Sequence, residues 1–201
     1  MIELAASFDA QLSSLAPYLI YLTVGAIVFF ETGVLFAFFL PGDSILFSAG
    51  LVAAAHGEVN IVILVSVIFI AAFLGDQVGF VIGRLVGRPY LDKHDSPRMQ
   101  KMIARSERFY EQTGWWAVVA ARFFPWIRTF VPPIAGASKM NYYKFLSANI
   151  LGALLWGVGI TLAGYYAASL PWVKTWSYAI AAFFITASLV SALVNYLRHR
   201  R

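Results

Sequence analysis

The stretch ARFFPWIRTFVPPIAG, Ala121–Gly136, combines features that a lipid-facing helix rarely contains. It is mostly apolar and aromatic, yet it carries two arginines, Arg122 and Arg128. Its prolines are Pro125, Pro132 and Pro133. Each proline removes a backbone donor and clashes with the preceding turn, so we expect the helix to break at these positions.

The composition indicates a membrane protein. Of the 201 residues, 60% are hydrophobic and 12% are charged, whereas a soluble domain carries roughly 25% charged residues. The mean hydropathy is +0.73. The absence of cysteine excludes disulfides and thiolate chemistry. The first residues, MIELAASFDAQ, contain no Lys or Arg, so we assign no cleavable signal peptide.

Uncharged runs locate the spanning helices, each of which requires about 20 apolar residues. Four runs with few or no charges qualify: 10–30, 59–86, 145–173 and 175–197. Seven of the fifteen Lys and Arg residues lie between Arg84 and Arg108, and three more close the chain. By the positive-inside tendency both regions are cytoplasmic, and the chain termini with them. The alternative, a nucleic-acid patch, does not suit the apolar flanks.

Two further apolar stretches, 32–55 and 114–138, are interrupted by Pro41-Gly42-Asp43 and by Pro125. Freed backbone groups cannot face lipid, so we expect re-entrant hairpins that enter from opposite sides. Their ends are alike: FSAG at Phe47–Gly50 and PIAG at Pro133–Gly136. We predict an all-α integral membrane fold, one domain over 1–201, with about four transmembrane helices and two opposed re-entrant helical hairpins in an inverted repeat.

The polar segment of about 88–112 connects the two halves. Its alternating charges and its pattern RMQKMIARSERFYEQ are typical of an amphipathic helix at the cytoplasmic interface. A solvated connecting helix is the alternative interpretation.

Ionisable residues inside or at the ends of the predicted membrane segments are the candidates for function. They are Glu31, Asp43, Asp76, Arg122 and Arg128. Charges at membrane depth face a protein interior or a water cavity and pair with one another, so we expect the acidic first hairpin to meet the basic second one. The two arginines do not share one face of a straight helix, but a break at Pro125 would bring both to one anion. Guanidinium groups suit phosphate or carboxylate.

Each of these residues also has a structural interpretation. Arg122 and Arg128 would then only pair with Glu31 and Asp43 to lock the fold. Glu31 is a candidate proton carrier, because burial disfavours the charged form of a carboxylate, or else an interfacial residue in water. Asp43 is a helix N-cap, a proton or substrate group, or both.

Asp76 and Arg84 lie about two helical turns apart on a similar face, and we interpret both as structural, with Asp76 tied to a neighbouring helix. Enzyme motifs are missing: there is no His-Glu-x-x-His, no Gly-x-Ser-x-Gly and no phosphate loop. The histidines fall in predicted loops or near ends: His56, His94 and His199. We therefore expect no catalytic residue, no metal site and no cofactor.

These motifs resemble the DedA family of bacterial membrane proteins, whose SNARE-associated or VTT domain is shared with eukaryotic lipid scramblases. The matching segments are E…FFLPGDSILFSAG at Glu31–Gly50, GDQVGFVIGRLVG at Gly75–Gly87, RFFPWIRTFVPPIAGASKM at Arg122–Met140 and N…GALLWG at Asn149–Gly157. Together they span most of the chain.

The resemblance implies a transporter of the bacterial inner membrane that is linked to the proton motive force and to the cell envelope. Some members resemble flippases for undecaprenyl phosphate, and others are associated with phosphatidylethanolamine transport. The family pattern places the proton-coupling acids at Glu31 and Asp43 and the substrate-binding arginines at Arg122 and Arg128. We expect supporting roles for Asp76, Arg84, Pro41, Pro125, Pro132 and Pro133.

Our hypothesis is a lipid-phosphate translocase, with proton exchange at the acids releasing the arginines for phosphate. The expected partners are protons and a membrane lipid, either a polyprenyl phosphate or a phospholipid. We expect no nucleic acid, and a homo-oligomer is left open. The alternatives are a proton-coupled exporter of small solutes or drugs, an intramembrane lipid phosphatase and a purely structural protein.

Overall fold

The computed structural model describes residues 2–33, 42–55, 57–93 and 97–170, without the side chains of 2–14, 97–100, 102–103 and 125–126. Within these ranges all regular structure is helical, which confirms the predicted all-α class for this part of the chain. The helices are α1 (Ile2–Gly33), α2 (Gly42–Ala55), α3 (Ile61–Ile82), α4 (Arg88–Lys93), α5 (Pro97–Gln112), α6 (Gly114–Ala121), α7 (Pro125–Ala137), α8 (Tyr142–Ala153) and α9 (Gly159–Ala167).

Within the described ranges, three continuous helices are long and apolar enough to cross a bilayer. They are Leu15–Gly33, Ile61–Lys93 and Tyr142–Ala167, with mean hydropathies of 1.6, 2.4 and 1.8. The second joins α3 to α4 through a π-helical turn at Gly83–Gly87, and the third joins α8 to α9 through a π-helical turn at Leu154–Val158. The predicted span at 175–197 lies outside the described residues.

Two of these spans, Ile61–Lys93 and Tyr142–Ala167, begin in the same way, and we call them the two long helices. Asn60 caps α3, because its side-chain oxygen accepts hydrogen bonds from the N–H groups of Val62 and Ile63 at 2.8 and 3.3 Å. Asn141 caps α8 with the equivalent bonds at 2.9 and 3.3 Å. An asparagine at this position satisfies backbone donors that have no partner inside the helix.

Of the three prolines in the stretch 121–136, only Pro125 coincides with a break in the helix. The helix is interrupted at residues 122–124, and Pro125 starts α7, where its missing N–H removes no helical bond. The expectation of breaks at Pro132 and Pro133 was wrong, since both lie inside α7. A glycine of α3 makes room for them: a Cβ added at Gly79 would lie 3.2 Å from the Pro132 ring and 3.3 Å from the Pro133 ring.

Helices α3 and α7 cross at glycines. A Cβ added at Gly83 would lie 1.9 Å from the carbonyl oxygen of Pro133, and one at Gly136 would lie 2.1 Å from the carbonyl oxygen of Phe80. The backbones therefore touch, as in membrane helix pairs that associate through small residues.

Helices α2 and α9 cross in the same register. A Cβ added at Gly164 would lie 2.1 Å from the carbonyl oxygen of Phe47, and one at Gly50 would lie 2.0 Å from that of Thr161. Gly83 follows its N-cap Asn60 at the same distance along the chain as Gly164 follows Asn141. The partner glycines, Gly50 and Gly136, end the FSAG and PIAG motifs. Each half of the chain thus packs its short helix on the long helix of the other half.

The two long helices run antiparallel. Phe80, near the end of α3, stacks on Phe145 near the start of α8, with ring centroids 4.3 Å apart. Ile68, earlier in α3, lies against Gly157 farther along the second helix. Each half also contributes to the other's core, since Trp156 is buried with α1–α3 and Phe80 with α6–α8.

Candidate functional site

The two arginines predicted at membrane depth both lie beside Trp156, whose side chain is fully buried. The guanidinium carbon of Arg128 lies 4.5 Å from the centroid of its ring, and that of Arg122 lies 5.8 Å from it. A cation over an indole face is attracted by the ring quadrupole. The break before Pro125 therefore brings both arginines to one aromatic side chain, although Arg122 directly follows α6 and Arg128 lies in α7.

Arg128 binds the two acidic residues of the first half. Its Nη1 donates to Asp43 Oδ1 at 2.9 Å, and its Nη2 donates to Glu31 Oε1. We call Arg128, Glu31 and Asp43 the outer cluster. The acidic first half thus meets the basic second half at Arg128.

Arg122 binds a different set of acceptors. Its Nη2 donates to Asp76 Oδ2, to Asn149 Oδ1 at 2.6 Å and to the carbonyl oxygen of Ala72 at 3.1 Å. Asn149 is itself fixed, because its Nδ2 donates to the carbonyl oxygen of Phe73 at 3.1 Å. We call Arg122, Asp76 and Asn149 the inner cluster. Arg122 therefore binds residues of α3 and α8. The alternative in which it pairs with Glu31 or Asp43 is wrong.

The carboxylates differ sharply in access to solvent. The Asp43 side chain is 45% exposed, whereas those of Glu31 and Asp76 are 3% and 5% exposed. A carboxylate at the protein surface can exchange its partner for a group from outside, whereas a buried one cannot do so without leaving a charge unpaired. Asp43 is therefore the acid from which Arg128 can separate most easily.

Both arginines keep unused donors. Arg122 Nε and Nη1 and Arg128 Nε are buried and have no hydrogen-bond partner among the described residues. Buried polar groups normally have partners, and an unpaired one costs about 1–3 kcal/mol. Glu31 Oε2 is also buried without a partner in this part of the chain, so three unpaired guanidinium nitrogens face one unpaired carboxylate oxygen, and this excess of donors suits an oxyanion.

Close backbone contacts place these side chains. A Cβ added at Gly42 would lie 1.7 Å from Glu31 Oε2, so the start of α2 sits directly against that carboxylate. A Cβ at Gly75 would lie 2.0 Å from Thr32 Oγ1, which brings the end of α1 to the level of Asp76. In the motifs PGD and GD, the glycine before the acid makes room for a side chain of α1, Glu31 in the first case and Thr32 in the second.

The other expected supporting residues lie outside the two clusters. Arg84 is exposed, and its guanidinium carbon lies 5.8 Å from the ring centroid of Phe80 rather than beside Asp76. Pro125 begins α7, whereas Pro132 and Pro133 shape its contact with α3. Pro41 lies outside the described residues.

Sequence reasoning missed the roles of Asn149 and Trp156. Both are neutral residues in an uncharged run, so a search for buried charges passes over them. Two signals were available. Asparagine inside a spanning helix tends to bond across helices, and a tryptophan in the middle of a span is away from the interface where tryptophans concentrate.

The polar segment of about 88–112 contacts the end of α7. Arg88 donates to Glu107 of α5 and to Asp92, and at 3.4 Å to the carbonyl oxygen of Ala137. Beside this contact lies a polar cavity of about 400 Å³ that Tyr110 helps to line. Burial raises the pKa of Tyr110 to about 12, so its phenol is neutral at physiological pH. Within the described part of the chain, no three His, Asp or Glu residues are grouped closely enough to hold a metal ion.

Comparison with known proteins agrees with the sequence motifs. The family model of the VTT domain matches residues 40–166. Protein DedA of Escherichia coli (strain K12) is 35% identical over 184 residues, which cover 90% of this chain and 84% of that protein. An uncharacterised membrane protein of Mycobacterium tuberculosis (strain H37Rv) is 43% identical over 174 residues, covering 86% of this chain and 76% of the relative. An uncharacterised membrane protein of Mycobacterium leprae (strain TN) is 42% identical over 170 residues, covering 84% and 75%.

No solved structure gives a significant match. The family match covers both clusters except for Glu31, and the relatives match over most of their own length. With apolar helices long enough to span a bilayer, the chain belongs to the DedA family of VTT-domain integral membrane proteins.

Proposed function

We propose that this protein translocates a lipid phosphate across the bacterial inner membrane and couples the step to protons. Membership in the VTT-domain family suggests a transport role in the membrane. The substrate would be a polyprenyl phosphate, such as undecaprenyl phosphate, or a phospholipid. Arg128 and Arg122 would bind the phosphate, and Glu31 and Asp43 would exchange the protons.

The observation that carries the proposal is the bond between a buried arginine and a half-exposed acid. Arg128 is 4% exposed and is bound to Asp43, whose side chain is 45% exposed. When Asp43 leaves, Arg128 Nη1 joins the unpaired donors of both arginines. Charge-assisted bonds from guanidinium to phosphate would then replace the ion pair.

The balance of charges supports a role for protons. Three carboxylates, on Glu31, Asp43 and Asp76, face only two guanidinium groups, those of Arg122 and Arg128. An added phosphate anion would meet a surplus of negative charge, which is strongly unfavourable in a medium of low dielectric constant. Protonation of Asp43 or Glu31 would remove that surplus. Binding of the anion and uptake of a proton would therefore favour each other.

An apolar groove beside the outer cluster suits the lipid tail. It lies between α1 and α2, has a volume of about 380 Å³ and begins at Ser44, the residue after Asp43. Its other lining residues are Ile20, Val24, Ile45, Ser48, Ala49 and Val52. A phosphate at Arg128 could thus keep its hydrocarbon chain in this groove and in the bilayer.

The repeated helix crossings support an inverted repeat. The α2–α9 and α3–α7 contacts use glycines at equivalent positions, and the two long helices run antiparallel. We infer that the two interrupted segments are re-entrant hairpins that approach from opposite membrane faces, and that both termini are cytoplasmic. Broken helices meeting near the midplane are typical of transporters whose site is reached alternately from either side.

A transport assay in proteoliposomes tests the proposal. Purified protein would be reconstituted with a fluorescent polyprenyl phosphate or phosphatidylethanolamine, and the labelled lipid reaching the opposite leaflet would be measured with and without a pH gradient. We expect Arg128→Ala to lower the rate about tenfold or more, because it removes charge-assisted bonds to the phosphate. Arg84→Ala is the matched control, since Arg84 is exposed and lies outside both clusters.

The outcome separates the alternatives. Movement of lipid by the wild-type protein and by Arg84→Ala, with loss in Arg128→Ala, supports the proposal. Release of inorganic phosphate from the lipid would instead indicate a lipid phosphatase. Movement of a soluble substrate without lipid movement would indicate an exporter. Equal lipid movement by wild-type protein and Arg128→Ala would refute the assigned site.

A further inference from the structure

Trp156 has a hydrogen bond that its burial makes obligatory. Its Nε1 donates to Asp43 Oδ1 at 2.6 Å, and its side chain is fully buried. The same carboxylate oxygen also accepts from Arg128 Nη1 at 2.9 Å. A buried indole N–H needs an acceptor, because leaving it unpaired forfeits its hydration without compensation.

The acceptor of this bond, Asp43, is the most exposed of the three acids in the two clusters. Asp43 reaches the protein surface, since 45% of its side chain is exposed, so water or an incoming group can approach it there. Water has no such access to the indole N–H of a residue with no exposed surface. The consequences of separation are therefore unequal: Asp43 can leave, but Trp156 must receive another acceptor in its place.

The position of the ring limits what that acceptor can be. Both guanidinium groups lie against the ring, and both carry unpaired N–H groups. A group entering between them would meet donors on several sides and positive charge, so it would be an oxyanion. The ring sits in the π-helical turn Leu154–Val158, and such insertions in α-helices often occur at functional sites.

We propose that Trp156 is a substrate-binding residue whose indole N–H changes partner, from Asp43 in the empty protein to a phosphate oxygen in the loaded one. The inference rests on the proposed function in taking a lipid phosphate as the ligand. It adds a neutral donor to the two arginines. It also links departure of Asp43 to arrival of the substrate, because the N–H is not left unpaired at either stage.

The indole N–H signal in nuclear magnetic resonance tests the exchange directly. The full chain, labelled with ¹⁵N at tryptophan, would be studied in detergent micelles, and the Trp156 signal assigned as the one absent from Trp156→Phe. We expect this signal to move in Asp43→Ala, which removes its acceptor. We also expect it to move in the wild-type protein on addition of dihexanoyl phosphatidic acid. Dihexanoylglycerol, which lacks the phosphate, should leave it in place. The Trp115 signal is the internal control, since Trp115 Nε1 donates to Ser147 Oγ at 2.9 Å.

Binding of the same lipid gives the second measurement. Trp156→Phe keeps an aromatic ring beside the arginines and removes the N–H, so we expect affinity for dihexanoyl phosphatidic acid to fall about tenfold, the effect of one hydrogen bond to a charged acceptor. Trp115→Phe should bind as the wild-type protein does. If Trp156→Phe does not fold, the Trp156 signal can be assigned by elimination, from Trp→Phe substitutions at the other five tryptophans, and the ligand-induced shift in the wild-type protein then decides.

An unmoved Trp156 signal at saturating phosphatidic acid would overturn the inference, as would unchanged affinity in a folded Trp156→Phe. Failure of the proposed function is a separate result, namely that the wild-type protein moves no lipid phosphate in proteoliposomes. The spectroscopic shift does not depend on transport, so the two failures can be told apart.

Discussion

At the scale of single residues, Asp43 and Asp76 are both bound to an arginine but have different surroundings. Asp76 is 5% exposed and lies in the inner cluster with Arg122 and Asn149. Asp43 is 45% exposed and shares Arg128 with Glu31. Removing one partner of a buried ion pair leaves a charge without compensation, whereas an exposed pair contributes little to stability. We therefore assign stability mainly to Asp76 and exchange mainly to Asp43.

Substitution by the neutral amide should separate these two acids. We expect Asp76→Asn to lower the free energy of unfolding by roughly 3–5 kcal/mol, because Arg122 then lacks its buried counter-charge. We expect Asp43→Asn to lower it by about 1 kcal/mol or less, since water and Glu31 remain available. Denaturant unfolding in detergent micelles measures both. Equal losses in the two variants would contradict this division, and Glu58→Gln, at an exposed position before α3, is the control.

The sequence predicts which residues meet better than it predicts the pairs. Glu31, Asp43, Asp76, Arg122 and Arg128 could be identified because charges at membrane depth are rare and need partners. The pairing of Arg122 with Asp76 could not, because it depends on where α6 ends relative to α3, which no local pattern encodes. Asn149 and Trp156 carry no charge, so the cost of burial did not draw attention to them.

At the scale of elements, glycines fix the contacts between the short and the long helices. Gly83 and Gly164 occupy equivalent places in the α3–α7 and α2–α9 crossings, where an added methyl group would overlap a backbone carbonyl oxygen. A backbone cannot move aside as a flexible side chain can, so the helices would have to separate. The same substitution at an open helical position should be favourable, because alanine is a better helix former than glycine.

Alanine substitution should therefore destabilise the protein at the crossing glycines and stabilise it at an open helical glycine. We expect Gly83→Ala and Gly164→Ala to lower the melting temperature by similar amounts, corresponding to about 1–3 kcal/mol of overpacking each. Gly159→Ala is the matched control, since its Cβ would lie 3.8 Å from the nearest atom, the carbonyl oxygen of Leu154. It should stabilise the protein by about 0.5–1 kcal/mol. Thermal unfolding in micelles distinguishes these cases, and tolerance of both Gly83→Ala and Gly164→Ala would show that the crossings are not tight.

The prolines show how far element boundaries follow from local rules. Pro125 starts a helix, which its fixed backbone angle and missing donor favour. Pro132 and Pro133 lie inside α7 although the same rules predict a break. The difference is tertiary, since Gly79 of α3 and Gly83, which directly follows α3, allow close contact with this part of α7. A prediction made from the sequence of one segment cannot take account of small residues in another segment that packs against it.

At the scale of the whole molecule, each half completes the packing of the other. The short helix of one half crosses the long helix of the other half at equivalent glycines, and Trp156 and Phe80 are each buried in the core of the opposite half. The outer cluster likewise takes its acids from the first half and Arg128 from the second. A relative movement of the halves would therefore act directly on the bonds of Arg128.

The proposed topology can be mapped with single cysteines, because the chain has none of its own. Antiparallel long helices place the residues before α3 and those at the start of α8 on opposite membrane faces. We expect Glu58→Cys to react with a membrane-impermeant maleimide from outside intact cells. Tyr143→Cys, in the first turn of α8, should react only after permeabilisation. Both side chains are exposed, and the wild-type protein is the unreactive control.

A third cysteine decides whether the segment around Arg122 and Arg128 spans the membrane or returns. Thr113 precedes α6 and is exposed. If α6 and α7 form a re-entrant hairpin, Thr113→Cys should react only after permeabilisation, on the same side as Tyr143→Cys. Reaction from outside would mean that α6 and α7 together cross the bilayer. The arginines would then lie in a through-going segment, where a phosphate held by them could not be released alternately to the two faces by movement of opposed hairpins.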